Sequence, residues 1–363
     1  MRLKKFAVSI FQSIIFWMIA FFIYVFIKYN GLEEELAVYT DDILYLPVDD
    51  FYKYGLGLGF IIGVIYAIIE YVFDTVLSKK LALGFILFIK SIVYLITIII
   101  VLTVFSFFLE EQIDIDIPNE IGWWHTDPIF WNTILYFVAS SVIFSLLKIA
   151  NDKFGPGVFF NMLLGKYRKP KEEERILMFL DLKDSTKIAE QLGHETYSRF
   201  IQDCFRDLNS ILRKYEADIY QYVGDEAVLS WTTKKGFRKN NSVNLFFAFK
   251  DKLKKREQSY LHNYKVMPQF KAGLHCGKLM IAEVGTIKKE LAFHGDVINT
   301  AARIQGLCNA YKAELLVSQA FLDRSLITLK YNANLLGDIK LKGREITLKV
   351  FAVTRNESLQ KKD

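Results

Sequence analysis

Four apolar stretches dominate the first 150 residues of the chain, at 6–27, 54–76, 81–109 and 128–150. Each reaches the roughly 20 residues that a helix needs to cross a bilayer, so the pattern predicts four membrane spans. After residue 175 the texture changes to short apolar runs alternating with segments of helical period. The run 176–182 reads as a buried strand, and Ser185-Thr186 opens a helix that Gly193 stops. An amphipathic helix is expected over 195–215. Strands at 218–223 and 227–231 flank Gly224-Asp225 as a hairpin. A basic helix over 240–258 follows, then a strand pair (270–275 and 278–283) around Gly277. A helix over 296–307, a strand over 314–318 and a closing hairpin (334–340 with 346–353) around Gly343 complete the set. The predicted fold is an α-helical membrane bundle of four spans followed by an α+β domain, its largely antiparallel sheet flanked by helices. The boundaries are 1–150 for the bundle, 151–175 for a cytoplasmic connector, 176–355 for the second domain and 356–363 for a tail.

Composition supports the division. Of 363 residues, 52% are apolar and 15% aromatic, and the excess sits before residue 150, as in membrane proteins. The net charge of +6 is modest, and its basic residues cluster beside the spans rather than forming a nucleic-acid surface. Lys79-Lys80 joins the second and third spans; Lys148, Lys153, Lys166, Arg168, Lys169 and Lys171 follow the fourth. The other two loops are acidic, with Glu33-Glu34-Glu35, Asp41-Asp42, Glu110-Glu111, Asp114 and Asp116. The positive-inside rule then puts both termini and the second domain in the cytoplasm, in a multi-pass protein of the cell (inner) membrane. Trp123 and Trp124 fit an outer interfacial belt. The first span lacks the short core and small-residue cleavage site of a signal peptide and is expected to be retained. Cys204, Cys276 and Cys308 have neither metal nor disulfide spacing, which fits buried thiols in a reducing compartment.

Within the spans, Gly55, Gly59 and Gly63 recur every four residues, a strip on which another backbone can pack. It serves either as a seam inside the bundle or as a contact between two copies. Glu70 and Lys90 lie at similar depth on adjacent spans and are expected to form an ion pair, the alternative being that each snorkels separately to the headgroups. With few intramembrane charges and no paired broken helices, a receptor or anchor fits better than a transporter. Gly155-Pro156-Gly157 cannot continue the fourth helix. The connector beyond it is a solvated linker or a coupling element.

Candidate chemistry begins at Phe179-Leu180-Asp181-Leu182-Lys183-Asp184-Ser185-Thr186, an apolar strand ending in a carboxylate. Its counterpart is Val223-Gly224-Asp225-Glu226. Two carboxylates on neighbouring strand ends make an oxygen-only pocket suited to Mg²⁺ and a nucleotide's phosphates. Read separately, Asp181 is a helix cap and Asp225 a turn residue. Asn299 and Arg303, four apart, share one helical face.

These motifs, with Lys-Ala-Gly-Leu-His-Cys-Gly at 271–277, Gly-Asp-Val-Ile-Asn-Thr-Ala-Ala-Arg-Ile at 295–304 and Leu-Lys-Gly-Arg at 341–344, come in the order found in one family. The second domain resembles the catalytic domain of class III adenylate/guanylate cyclases over about 173–353. The resemblance implies closure of a ribose 3′-oxygen on the α-phosphorus with loss of pyrophosphate, using two Mg²⁺ or Mn²⁺ ions per site. It assigns metal ligation to Asp181, Asp225 and the backbone carbonyl of Leu182, ribose orientation to Asn299, and charge stabilisation on the α-phosphate to Arg303. Lys342 and Lys271 match positions credited with phosphate contact. The base-selecting positions are Gln221 and Ala292, where the family commonly has Lys with Asp or Thr; Ala offers no side-chain hydrogen bond. His294, beside Ala292, contributes to the base site or is an ordinary imidazole. ATP is the family default and the expected substrate, with GTP, dual use, or a weakly active nucleotide-binding module as alternatives. The family site is completed by a second domain, so the resemblance further implies a homodimer. Its partners are a nucleoside triphosphate and the lipid bilayer, and no nucleic acid is expected.

Overall fold

The computed structural model describes residues 2–29, 48–73, 83–113, 128–154, 158–287, 289–327, 330–340 and 347–356. They fall into two compact units, Met1–Lys153 and Phe154–Asp363.

The first unit contains α1 (Arg2–Tyr29), α2 (Val48–Val72), α3 (Leu83–Ile113) and α4 (Pro128–Phe154). Each carries a segment long and apolar enough to cross a membrane: Phe6–Lys28, Phe51–Val72, Gly84–Phe105 and Trp131–Asn151. Large apolar side chains such as Phe11, Phe60, Phe88, Ile100 and Leu135 face outward, while Ser13, Ser140, Ser141 and Ser145 are buried. That is the reverse of a water-soluble bundle and suits hydrocarbon surroundings. The interior is aromatic, built on Trp17, Phe21, Tyr66, Tyr94 and Phe137. The Tyr66 hydroxyl donates to the Tyr94 carbonyl at 3.2 Å and lies 3.1 Å from the Ser141 hydroxyl.

The glycine strip is a seam inside this bundle. A Cβ on Gly59 would lie 2.7 Å from the Met18 Cα, one on Gly63 2.6 Å from the Ile14 Cα, and one on Gly55 2.9 Å from the Val25 side chain. The absent side chains let α2 lie directly on α1. Glu70 and Lys90 form the expected ion pair, at 2.8 Å. Glu70, only 1% exposed, also takes Lys148 of α4 and the Tyr94 hydroxyl, so one carboxylate ties three helices together. A buried charge so paired costs far less than one left bare.

The second unit opens with α5 (Val158–Leu163) and is organised on an eight-stranded sheet of order β2-β3-β1-β4-β6-β8-β7, with β5 paired to β4. The strands are β1 (Lys171–Leu182), β2 (Asp218–Val223), β3 (Glu226–Thr232), β4 (Phe270–Val284), β5 (Glu290–His294), β6 (Leu315–Ser318), β7 (Tyr331–Lys340) and β8 (Thr347–Arg355). Among the described residues only the β4–β6 ladder is parallel. The helices α6 (Ser185–Leu192), α7 (His194–Leu212), α8 (Thr233–Phe237), α9 (Asn241–Lys255), α10 (Glu257–Tyr264), α11 (Asp296–Gly306) and α12 (Gln319–Leu322) complete the unit. Ile176, Met178, Leu180 and Leu182 of β1 join the core formed with α6, α7, α9 and α10, whereas Leu177 and Phe179 pack with Val297 and Ala301 of α11. Both faces of β1 are covered, which is why its sequence is an unbroken apolar run rather than an alternating one.

Three expectations change. Residues 270–284 form one continuous strand rather than a pair turning at Gly277. That glycine makes room for α11, since a Cβ there would lie 2.8 Å from a Val297 methyl. β1 begins at Lys171, not 176, pairing with β4 through the stretch expected to be connector; its first residues are polar because their side chains are exposed. The basic helix ends at Lys255, where Arg256 leaves helical geometry and grips Asp207 at 2.9 Å before α10 begins. The 155–157 hinge, the inter-helix loops with Lys79-Lys80, Trp123 and Trp124, the turn bearing Lys342 and Gly343, and the tail after 356 lie outside the described residues.

Candidate active site

β1 runs through the middle of the sheet and delivers Asp181 at its end. Cross-strand register sets Asp181 opposite Glu226 of β3 on one side and Lys271 of β4 on the other, and directly opposed residues share a face of the sheet. That face is the one covered by α11. Asp181 Oδ2 lies 3.2 Å from the Lys271 ammonium and accepts a 3.0 Å hydrogen bond from Gln305 Nε2. The cap position of α6 belongs to Asp184, whose side chain makes no capping bond. Asp181 is therefore held for the pocket and not for the helix.

Asp225 follows Gly224 in the β2–β3 turn, where Gly224 has φ of +60°, a conformation glycine adopts without steric cost. Its Oδ2 is buried and has no hydrogen-bond partner among the described residues. Burial, reinforced by the nearby charge of Asp225, pushes Asp181 above the usual carboxylate range even against Lys271 and Gln305. Burial, then Asp181 and Asp225, push Glu226 up to about 7. The Tyr197 hydroxyl, close to the same carboxylates, is pushed up to about 12 by burial and then by Asp225. This is an excess of negative charge with one ammonium among it. An unpartnered buried carboxylate oxygen beside a second carboxylate is the donor set that a hard divalent cation takes. Among the described residues no three His, Cys, Asp or Glu side chains gather to hold a metal by themselves. Two carboxylates suit Mg²⁺, which draws its remaining oxygens from water and substrate phosphates.

Asn299 and Arg303 are on α11. Its buried face is Val297, Thr300, Ala301, Ile304 and Gln305; Asn299 is exposed and Arg303 half-buried. Neither side chain makes a hydrogen bond or ion pair with a described residue. At about 100° per residue, Arg303 lies roughly 200° around the helix from Gln305. Gln305 reaches Asp181, so Arg303 points away from the carboxylates of its own chain. Gln221 is exposed on β2 and Ala292 half-buried on β5. Their neighbours join these strands: a bulge at Tyr220 turns its ring onto Phe293, with centroids 4.1 Å apart, and its hydroxyl accepts the Phe293 N–H at 3.2 Å. His294 is exposed. Lys271, expected to touch phosphates, is engaged with Asp181 and with Asn309 at 3.2 Å. Leu182 has its side chain buried and is paired with Phe270.

Gln305, Glu226 and Tyr197 are site residues that sequence reasoning did not single out. Glu226 sits inside a quoted motif, and Gln305 two positions past Arg303; nothing local marks Tyr197.

Residues 168–354 match the family described as the adenylate and guanylate cyclase catalytic domain. The chain is 30% identical over 223 residues to adenylate cyclase 2 of Rhizobium meliloti (strain 1021), covering 61% of each chain. It is 24% identical over 187 residues to adenylate cyclase 1 of the same organism, covering 50% of this chain and 27% of that one. The chain thus spans less than two thirds of the length of these curated relatives. Among solved structures it resembles a bacterial light-regulated adenylyl cyclase, with TM-score 0.53 and 17% identity, over 63% of this chain and 66% of that one; this likeness is one of fold. With the motifs in order, the carboxylate pair in place and more than half the chain matched, the protein belongs to the adenylate and guanylate cyclase family.

Proposed function

We propose that the chain is a membrane-anchored adenylate cyclase converting ATP to 3′,5′-cyclic AMP and pyrophosphate, at sites shared between two copies of itself. The buried, unpartnered oxygen of Asp225 beside Asp181 carries this reading. Asp181, Asp225 and the Leu182 carbonyl would hold Mg²⁺ or Mn²⁺, two ions per site. Bound there, the ions supply acidity to the 3′-hydroxyl and neutralise triphosphate charge. The 3′-oxygen bonds to the α-phosphorus as the bond from that phosphorus to the bridging oxygen breaks; pyrophosphate leaves and the hydroxyl proton is lost. Arg303, planar and always charged, stabilises charge on the α-phosphate, and Asn299 orients the ribose. Lys342 contacts phosphate, and Gln221 and Ala292 border the base.

The two-copy assembly is supported by the geometry of α11. Arg303 points away from Asp181 of its own chain and Asn299 shares the face of Arg303, which favours a second copy that brings both halves of the machinery together. A symmetric pair then has two equivalent sites. The basic residues after α4 support a cytoplasmic cyclase domain, and four helices that pair or shift would govern assembly of the sites. The names of the two Rhizobium relatives favour ATP.

The test supplies purified full-length protein with ATP or GTP and Mg²⁺ or Mn²⁺, measuring cyclic product and pyrophosphate. Cyclic AMP should form and Asp225→Ala should abolish it with the fold retained. Mixing Asp225→Ala with Arg303→Ala chains should recover activity through the one intact site of a mixed pair. Cyclic GMP alone would overturn the substrate, and absence of recovery would overturn the shared site.

A further inference from the structure

We infer that Gln305 is a positioning residue for the metal-binding carboxylate of Asp181, serving its own chain's half-site from a helix whose opposite face serves the other. The inference rests on the shared-site reading above. Gln305 is 7% exposed, and its amide donates to Asp181 Oδ2 at 3.0 Å. Lys271 meets the same oxygen at 3.2 Å. Both anchors thus fall on Oδ2, and Oδ1 accepts no hydrogen bond from a described residue. A carboxylate that ligates through one oxygen is best fixed by donors on the other. The two anchors differ in kind. Lys271 brings a positive charge, and a second one would cancel the charge that attracts a divalent ion. An amide orients the carboxylate and leaves its charge in place.

The backbone at Gln305 is itself fixed. α11 lies so close to β4 that a Cβ on Gly273 would sit 2.3 Å from the Gln305 nitrogen and 2.7 Å from its Cα. The amide therefore starts from a defined point relative to the strand that carries Lys271. Two residues earlier on the same helix, Arg303 points the other way. In a symmetric pair α11 would carry the positioning group of one site and the charge-stabilising group of the other. That arrangement gives Gln305 a signature in mixed dimers that its sequence position does not predict.

The experiment uses the full chain in detergent with Mn²⁺ and 3′-deoxy-ATP, which cannot cyclise, counting bound Mn²⁺ by electron paramagnetic resonance. Gln305→Met keeps length and removes the donor. Its Mn²⁺ affinity should fall about tenfold or more, as for lost outer partners of metal ligands. Mixing Gln305→Met with Arg303→Ala should restore turnover, because one site then has an intact Asp181–Gln305 pair and an intact partner arginine. Mixing Gln305→Met with Asp225→Ala should restore nothing beyond the Gln305→Met level. Recovery in the first mixture also shows that the variant folds. Unchanged Mn²⁺ affinity, or recovery with Asp225→Ala in place of Arg303→Ala, overturns the assignment. If Asp225→Ala and Arg303→Ala fail to complement each other, the shared site falls and the Mn²⁺ measurement alone decides the role of Gln305.

Discussion

Gly273→Ala should disable the site through packing alone. Gly273 lies in the middle of the sheet, opposite Phe179 on β1 and Leu316 on β6. An added Cβ meets the Gln305 nitrogen at 2.3 Å, and the Ala301 carbonyl oxygen and Gln305 Cα at 2.7 Å. All three atoms are backbone, so no side chain can rotate to relieve the overlap. Non-bonded heavy atoms settle near 3.5 Å, which requires the 301–305 turn of α11 to retreat by about 1 Å. Overpacking of this kind costs about 1–3 kcal/mol, and about 2 kcal/mol lowers Tm by about 4–8 °C in a unit of roughly 200 residues. The same retreat breaks the 3.0 Å bond from Gln305 to Asp181 and carries Arg303 with it. A displacement near 1 Å at the reacting groups costs on the order of 100-fold in turnover. Gly306→Ala is the matched control, since among the described residues no atom beyond its own stretch of helix lies within 4 Å of its added Cβ; it should stay within about 0.5 kcal/mol of the parent. Thermal unfolding and cyclic-nucleotide turnover of both full-length variants read the difference. A Gly273→Ala protein that melts and turns over like the Gly306→Ala control would refute the close approach and the role given to α11.

Much of the molecule was legible because some patterns admit few readings. Apolar runs of more than 20 residues give helices long and apolar enough to cross a bilayer, and an apolar strand ending in Asp181 beside a Gly-Asp turn is a carboxylate pair. The Glu70–Lys90 pair followed from depth along adjacent spans. Lys148 did not, because its arrival at Glu70 depends on how α4 packs. Gly277 misled because glycine marks both turns and close approaches; only the Val297 methyl facing it separates the two. The break at Arg256 is invisible in a run of lysines and becomes intelligible once its guanidinium is seen on Asp207. β5 is only five residues long, Glu-Leu-Ala-Phe-His, with no alternation to mark it, and its identity depends on pairing with the far end of β4. Gln305 lies on the buried face of an amphipathic helix, and tertiary contact alone shows what its amide meets.

Burial alone would raise Glu173, but Arg175, the Tyr167 hydroxyl and Lys166 outweigh it and hold the carboxyl below its ordinary 4.5. A carboxyl depressed on folding stabilises above its unfolded value and loses that contribution as pH falls through the folded one. Glu173→Gln should therefore melt below the parent at pH 7, with the gap closing as pH drops below 4.5. Glu70 makes the sharper case in the bundle. It meets Lys90 at 2.8 Å, Lys148 and the Tyr94 hydroxyl, so Glu70→Gln removes the negative charge that two lysines meet. Lys90→Met or Lys148→Met removes one of two cations and leaves the other in place. Stripping one partner from a buried pair costs about 3–5 kcal/mol, and Glu70→Gln should lose more folded yield and detergent stability than either lysine variant. Exchanging Glu70→Lys with Lys90→Glu rebuilds one ion pair but sets the new ammonium against Lys148. Full recovery should need Lys148→Met as well, and a two-site exchange that by itself restores parental stability would show that Lys148 is not part of the lock.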